Sequence, residues 1–314
     1  MLEEITISNY KSILNQRIRL GRVNVFIGRN GSGKTNILEA IGMASAAHDD
    51  AMDTDSLMKR GISVSKPSLT FHSPTYRKDQ GNEINIVWYE NKGWKKSKLV
   101  CDMSDDNNPL WQDISWYDPV YVDKINNLIR TISDGTIVGE YPFDDEARNT
   151  VLNAAFRGSR IFRDYIIYNA NTNALQNNTG ETLGEGLNNL LASFTEEQIQ
   201  IIKSFGFTED IFASNNMPAL FYLALYISKS SPSFFAIDNF DELIAPELCR
   251  DLMNNILQLS IKNKKQSLIT ICNKSIVNGL DLNDPEQKIF LVKLAKDGQT
   301  IVEELKDKKS IEDL

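Results

Sequence analysis

The sequence predicts an α/β fold with a mixed or parallel central sheet, an antiparallel outer layer and an inserted, mainly helical segment. Three observations carry this expectation. Apolar runs at residues 23–27 (Val-Asn-Val-Phe-Ile), 234–237 (Phe-Phe-Ala-Ile) and 267–271 (Ser-Leu-Ile-Thr-Ile) have the length and composition of strands covered on both faces, as parallel sheets require. The last two runs are separated by a helical pattern at 246–259, amphipathic through Leu248, Leu252, Ile256 and Leu259. A glycine-rich segment at 28–35 stands between the first run and a second helical pattern, in which Ile37, Leu38 and Ile41 recur.

In chain order, residues 3–8 and 22–27 read as strands, with β-branched and aromatic residues bounded by turn formers. Residues 33–43 read as a helix. Segments 68–71, 83–88 and 96–100 read as a meander of exposed strands, punctuated by Gly81-Asn82 and Asn91-Lys92-Gly93. From about 102 to 160 the chain turns polar and Asp/Asn-rich, and this is the expected insertion. Beyond it, 163–168 reads as a strand, and 186–194, 195–204 and 218–228 as helices. The buried strands follow, and residues 290–293 and 300–303 predict a closing hairpin around Asp297-Gly298.

Composition bounds the function classes. With 314 residues, 41% apolar and 24% charged, the chain can bury a sizeable core. A net charge of −8 lacks the basic surplus of a dedicated nucleic-acid binder. Cys101, Cys249 and Cys272 are odd in number and far apart, which suggests neither a disulfide framework nor a zinc site. The acidic opening Met-Leu-Glu-Glu-Ile and the lack of a long apolar run predict a cytoplasmic chain that starts here and does not enter a membrane.

Residues 28–35, Gly-Arg-Asn-Gly-Ser-Gly-Lys-Thr, match the P-loop pattern G-x-x-x-x-G-K-[ST] in full. Its glycines allow backbone N–H groups of Arg29, Asn30, Gly31, Ser32 and Gly33 to turn toward phosphates, while Lys34 reaches the β and γ oxygens. The Thr35 hydroxyl is the expected Mg²⁺ ligand. A second acid is needed for Mg²⁺ at the end of another apolar strand, and Asp238 after Phe-Phe-Ala-Ile fits that Walker B role. ATP and Mg²⁺ are therefore the expected cofactors. Next to Asp238 stands Asn239, an amide where a carboxylate could take a proton from water, with Asp241 the nearest acid that could substitute.

These residues resemble a family. Ile-Ser-Asn-Tyr-Lys-Ser-Ile at 7–13 and the run from Val25 through the P-loop to Ile41 are similar to the SMC and RecF branch of ABC-type ATPases. More narrowly, they resemble the bacterial AAA-type ATPases that occur in phage-defence and nuclease-associated operons. Residues 168–171 and 183–191, Asp238 to Pro246, and 269–273 resemble that family's later blocks, including its Walker B, D-loop and switch strand. The resemblance implies an ABC-type ATPase head. Its N-terminal lobe would span 1–101, its insertion, as a lid or arm, 102–160, and its C-terminal lobe 161–314. It also implies an adenine-side segment in which Asn9 and Lys11 approach the nucleotide, Lys11 touching a phosphate or ribose.

The same resemblance exposes departures. Such heads hydrolyse ATP between two copies, each offering a Ser-Gly signature to the other's γ-phosphate. Here residues 213–218 read Ala-Ser-Asn-Asn-Met-Pro, so Ser214 could serve but the glycine is absent. At the switch position, Cys272 replaces the usual histidine and is a weak hydrogen-bond donor. Gln80 is only a positional candidate for an Mg²⁺-sensing glutamine. Two outcomes stay open: slow turnover behind intact binding, or ordinary hydrolysis through Asp241 and Asn273.

The remaining candidates carry bland readings. His48 and His72 lie apart from each other and from any metal-ligand cluster in the sequence, and neither is expected to be catalytic. Arg157, Arg160 and Arg163 would share one side of a helix, as a solvated face or a DNA or partner contact. Lys306, Lys308 and Lys309 belong to an acidic tail, and Trp111, Trp116 and Tyr117 serve equally as core anchors or a partner site. The expected assembly is a homodimer or higher oligomer that holds a protein effector, a nuclease or toxin. A DNA-repair ATPase that binds DNA directly and a non-hydrolysing nucleotide sensor are the alternatives.

Overall fold

The computed structural model describes residues 1–72, 82–90, 93–102, 110–115, 162, 164–169, 183–205 and 217–306. Two sheets organise them. The outer sheet is antiparallel, in the order β2-β1-β4-β5-β6, from Leu2–Tyr10 (β1), Ile13–Arg19 (β2), Ile84–Glu90 (β4), Gly93–Asp102 (β5) and Leu110–Asp113 (β6). The central sheet has the order β11-β10-β3-β9-β8-β7, from Val23–Ile27 (β3), Ile167–Tyr168 (β7), Phe234–Ile237 (β8), Gln266–Ile271 (β9), Gln287–Leu294 (β10) and Thr300–Glu304 (β11). All its pairings are parallel except the closing β10–β11 hairpin, which turns at Gly298 with φ +83°.

The continuous apolar runs are explained by two cores, one on each face of this sheet. In β3, Val23, Val25 and Ile27 face the first core and Phe26 the second; in β8, Phe235 and Ile237 face the first and Phe234 and Ala236 the second. Period-two alternation therefore shows only in which core a side chain enters, since neither face meets water. The first core is closed by Leu183–Ala192 (α4), Glu196–Ser204 (α5), Met217–Ile227 (α6) and Pro246–Lys262 (α7). Residues 218–227 of α6 are buried without exception, the pattern of a helix packed on every side. Thr195 starts α5 with a capping box, accepting from Gln198 N while the Gln198 side chain accepts from Thr195 N.

The second core lies between the two sheets around Lys34–His48 (α1), which is followed by the short helices Thr54–Lys59 (α2) and Pro67–Thr70 (α3). In α1, residues 37–48 are all buried, so the helix threads the interior from the P-loop to its far end. His48 stacks edge-on to Trp88 and Phe162. Trp111 is buried and its ring lies 5.4 Å from Phe71, a core anchor.

Several elements differ from expectation. Residues 68–71 form not a strand but the end of α3, because Pro67 presets the first helical turn; only Phe71 bridges to Tyr10. Strand β2 was not expected, its Asn15-Gln16-Arg17 interior hiding the period; Ile13 and Ile18 are its buried residues. The meander is not fully exposed, since Ile84, Ile86 and Trp88 of β4 point into the second core. Of residues 163–168 only Ile167–Tyr168 is described as strand. Within the segment expected to be mainly helical, residues 110–113 instead extend the outer sheet by pairing antiparallel to β5. Ser214, Gln80, Arg157, Arg160, Arg163, Trp116, Tyr117, Lys308 and Lys309 lie outside the described residues, as does most of 102–160.

Candidate functional site

Parallel strands β3, β9 and β8 are neighbours, with Ile27 opposite Ile271 and Ile237 opposite Ile269. Gly28, Asp238 and Cys272 therefore leave the sheet at one edge, outside the carboxyl ends of the strands, where open α/β sheets bind ligands. A cavity of about 710 Å³ lies there. Asn30, Gly31, Lys34 and Thr35 form one wall, Asn239, Asp241 and Glu242 a second, and Cys272 and Asn273 a third.

The glycines of the P-loop are required by its path. Gly33 sits just before α1 at φ +96°, and a Cβ there would overlap the hydroxyls of Thr300 and Ser12. Those two hydroxyls are hydrogen-bonded at 2.6 Å, Thr300 Oγ1 donates to Ser32 O at 3.1 Å, and Asn36 Nδ2 donates to Ser12 Oγ at 2.6 Å. The β1–β2 corner and the start of β11 thus clamp the loop from behind. No side chain caps α1, so the positive end of a 15-residue helix opens on the cavity. Lys34 Nζ lies back on the loop, donating to Gly28 O at 2.7 Å and Arg29 O at 3.1 Å, with Cys272 Sγ at 3.4 Å.

Opposite stands Asp238, buried at 5% exposure. Its Oδ2 accepts from Thr35 Oγ1 at 2.8 Å and its Oδ1 from Thr270 Oγ1 at 2.5 Å. Burial pushes its carboxyl above the usual range; the two hydroxyl donors oppose that, the Glu39 charge adds to it and the Lys34 charge opposes it. A threonine hydroxyl beside a carboxylate is the hard oxygen pair suited to Mg²⁺, whose charge would stabilise the ionised form, so the residues fit that ion. Thr270 was not singled out by sequence, yet it also accepts from Asn239 N at 2.8 Å and so fixes the turn after β8. In that turn Asn239 has φ +53°.

Asp241 lines the cavity, but its Oδ2 accepts from the backbone N–H groups of Cys272 at 2.9 Å and Asn273 at 2.6 Å. It ties the β8 turn to the switch strand. Cys272 is exposed, and its thiol lies 3.0 Å from Asn30 Oδ1. Glu242, an exposed residue missed in the sequence, brings a second carboxylate to the same wall. Its signal was position alone, four residues after Asp238.

Asn9 and Lys11 do not line this cavity. Both have positive φ, 63° and 47°, and both hold the corner after β1. Asn9 Nδ2 donates to Glu83 O at 2.7 Å and its Oδ1 accepts from His72 N at 3.2 Å. Lys11 Nζ forms a 2.5 Å ion pair with Glu39, a carboxylate buried at 1% exposure that also accepts from Ser63 N at 2.8 Å. Lys11 is thus engaged in an ion pair inside the protein. Glu39 was overlooked, although an acid within the apolar pattern Ile37-Leu38-Ala40-Ile41 is a signal for a partnered buried charge. His48 and His72 are buried, and among the described residues no group of three or more His, Cys, Asp and Glu could hold a metal. No described helix is long and apolar enough to cross a membrane.

Residues 1–211 match the AAA ATPase domain family, which is more than half of the chain. The chain belongs to the AAA ATPase domain family. Membership implies ATP binding. Over 106 residues the chain is 37% identical to the DNA replication and repair protein RecF of Ruminiclostridium cellulolyticum, covering 33% of this chain and 27% of that one. Over 100 residues it is 29% identical to RecF of Shouchella clausii, covering 32% and 26%. The matches thus span about a quarter of the length of these curated relatives. The SMC head domain from Thermotoga maritima superposes with a TM-score of 0.51 at 14% identity, covering 97% of this chain and 98% of that one. This AAA-family chain therefore has the fold of an ABC-type, SMC-like ATPase head.

Proposed function

We propose that this AAA-family head assembles as a dimer or higher oligomer around Mg²⁺ and ATP, hydrolyses ATP slowly, and uses the bound state to hold or release a protein effector. The observation that carries slow turnover is the contrast between the two halves of the cavity. Gly33, Lys34, Thr35 and Asp238 converge as a binding half. On the other half, Asn239 offers an amide, which cannot act as a general base, and Asp241 is committed to two backbone N–H groups. Among the described residues of the cavity wall, Glu242 is the carboxylate without such a backbone contact. Assembly rests on the head-to-head geometry of the SMC and RecF branch, in which a second copy completes the site. That the effector is a nuclease or toxin of an anti-phage system rests on resemblance to operon-encoded relatives, and a fold by itself does not fix a function.

The test is ATP turnover by the purified chain, with ATP affinity and oligomer mass measured with and without Mg²⁺, for wild type and Lys34→Ala. Tight binding with assembly and negligible turnover supports the reading; brisk turnover that Lys34→Ala abolishes overturns slow hydrolysis.

A second reading, an ATPase of DNA repair that binds DNA directly, is favoured by the two RecF relatives. It requires DNA affinity that falls steeply with salt, whereas the chain's net charge is −8.

A further inference from the structure

A second cleft lies at the opposite end of the central sheet from the phosphate cavity. Ile166, Ser233 and Lys265 stand at the amino ends of β7, β8 and β9 and, with the turns after α1, α2, α6 and α7, they border a cavity of about 860 Å³. Its size falls within the usual range of binding clefts. Helix α1 keeps the two sites apart: Lys34 begins it at the phosphate cavity, and Asp49, just past its last turn, lines the second cleft about 22 Å away. Among the described residues, five cations and two carboxylates line this cleft, in a chain whose net charge is −8. Asp49 is taken up by Arg60 at 2.7 Å. Against the other carboxylate, Asp164, stand Lys59, Lys229, Lys264 and Lys265 from three separate turns. Lys59 and Lys264 form no ion pair among the described residues. Lys229 sits in the field of Glu197, whose carboxylate is bonded to Lys262 at 2.8 Å.

Two buried groups in the wall lack a partner of the right kind. Lys265 is buried, and its ammonium is held by Ser231 O at 2.7 Å, Ser231 Oγ at 2.8 Å and Pro232 O at 3.2 Å. All three oxygens are uncharged, so among the described residues this buried charge has no counter-ion, an unfavourable state that an anion in the cleft would relieve. Tyr168 lines the cleft at 8% exposure, its ring packed edge-on to Phe221 and Phe235. Its hydroxyl has no hydrogen-bond partner among the described residues, and burial raises its pKa, so it stays a donor. Ile166, Leu190 and Pro232 give the same cleft an apolar side.

We propose that this cleft binds a small phosphate ester with an apolar or aromatic body, its phosphate oxygens set against the lysines and the Tyr168 hydroxyl. The proposal is independent of the effector reading and of the nucleotide cavity. A phosphate carries up to two charges on one centre and accepts several hydrogen bonds, which suits four lysines and a phenol converging from different turns. The body of the ester then covers Leu190 and Pro232, which a bare inorganic anion would leave uncovered. A DNA duplex would lay its backbone across the rim, where Lys59 and Lys264 stand, and leave the buried Lys265 and Tyr168 without a partner.

The probe is phenyl phosphate, titrated by calorimetry into the full chain carrying Lys34→Ala, so that the P-loop does not compete for the phosphate. Inorganic phosphate and phenol are the controls that lack the body and the anion. Lys229→Gln/Lys264→Gln and Tyr168→Phe are added to the same background, and the urea midpoint of each protein is measured alongside. The expected result is a Kd of about 1 mM or tighter for phenyl phosphate, with each control at least about tenfold weaker. The lysine pair should weaken binding at least about tenfold and Tyr168→Phe about fivefold, with the urea midpoints unchanged. Absence of binding overturns the proposal, as does equal affinity in the variants, which would place the phosphate elsewhere. Inorganic phosphate bound as tightly as phenyl phosphate overturns the apolar body. A urea midpoint lowered by Tyr168→Phe overturns the reading of its hydroxyl as a donor kept for a ligand. A short DNA duplex that binds more tightly than phenyl phosphate and is released by the lysine substitutions overturns the proposal and assigns the cleft to a nucleic-acid backbone.

Discussion

Thr35 and Asp238, 203 residues apart in the chain, meet through a 2.8 Å hydrogen bond from the threonine hydroxyl to the carboxylate. The bond joins the first residues of α1 to the turn after β8, and it exists because β3 and β8 run parallel with only β9 between them. Everything expected of nucleotide binding depends on this convergence.

Lys34→Ala removes the cation facing the phosphates and should weaken ATP binding by about a hundredfold or more, since charge-assisted bonds in a sheltered site contribute roughly 2–5 kcal/mol. Asn239→Ala should leave affinity within about threefold, because the Asn239 contact that fixes the turn is made by its backbone N–H. Titration of a fluorescent ATP analogue measures both; loss of affinity in Asn239→Ala alone would refute the site assignment.

Thr270→Val deletes the hydroxyl shared by Asp238 and Asn239 N while keeping the shape of the side chain. It leaves a buried acceptor and a backbone donor unpartnered, and should lower stability by about 1–3 kcal/mol. Urea denaturation reads that loss, and Mg²⁺ titration of ATP binding should shift to higher metal concentration as the carboxylate loses its anchor.

Lys11→Met strands Glu39 as a buried, unpaired carboxylate. Breaking one side of such a pair costs about 3–5 kcal/mol, and adding Glu39→Gln should recover most of it. Were Lys11 only a nucleotide ligand, nucleotide-free stability would not change and the second substitution would rescue nothing. Denaturation of the four proteins of this double-mutant cycle decides.

Lys265 is buried at 3% exposure with its ammonium held by Ser231 O, Ser231 Oγ and Pro232 O, all uncharged oxygens. Burial lowers its pKa from 10.5 to about 8. Between those values the unfolded chain binds the extra proton, so this group makes stability rise with pH from about 8 to 10.5, by about 3 kcal/mol in all. Measured against Lys265→Met over that range, wild type should gain ground as pH rises; parallel curves would refute the shift.

Much of the central sheet was legible because its strands are short apolar runs, and of the site because the P-loop is a contiguous motif whose glycines report a local backbone path. Strand β2 was not legible, since Asn15 and Arg17 are exposed and the half-buried Gln16 between them is polar, which leaves no apolar period to read. Glu39 and Thr270 were missed for another reason. Their tasks are defined by partners 24 to 32 residues away, Ser63, Lys11 and Asp238, and sequence spacing carries no such distance.

By itself, then, the sequence determined the phosphate-binding loop, the helix it caps and the apolar strands on either side, because backbone conformation and burial follow from neighbours in the chain. Only the tertiary structure decided that Lys11 is turned to Glu39, that Asp241 holds the switch strand and that Glu242 shares the cavity wall. Those are pairings across the fold, set by which strands lie side by side and where their carboxyl ends stop.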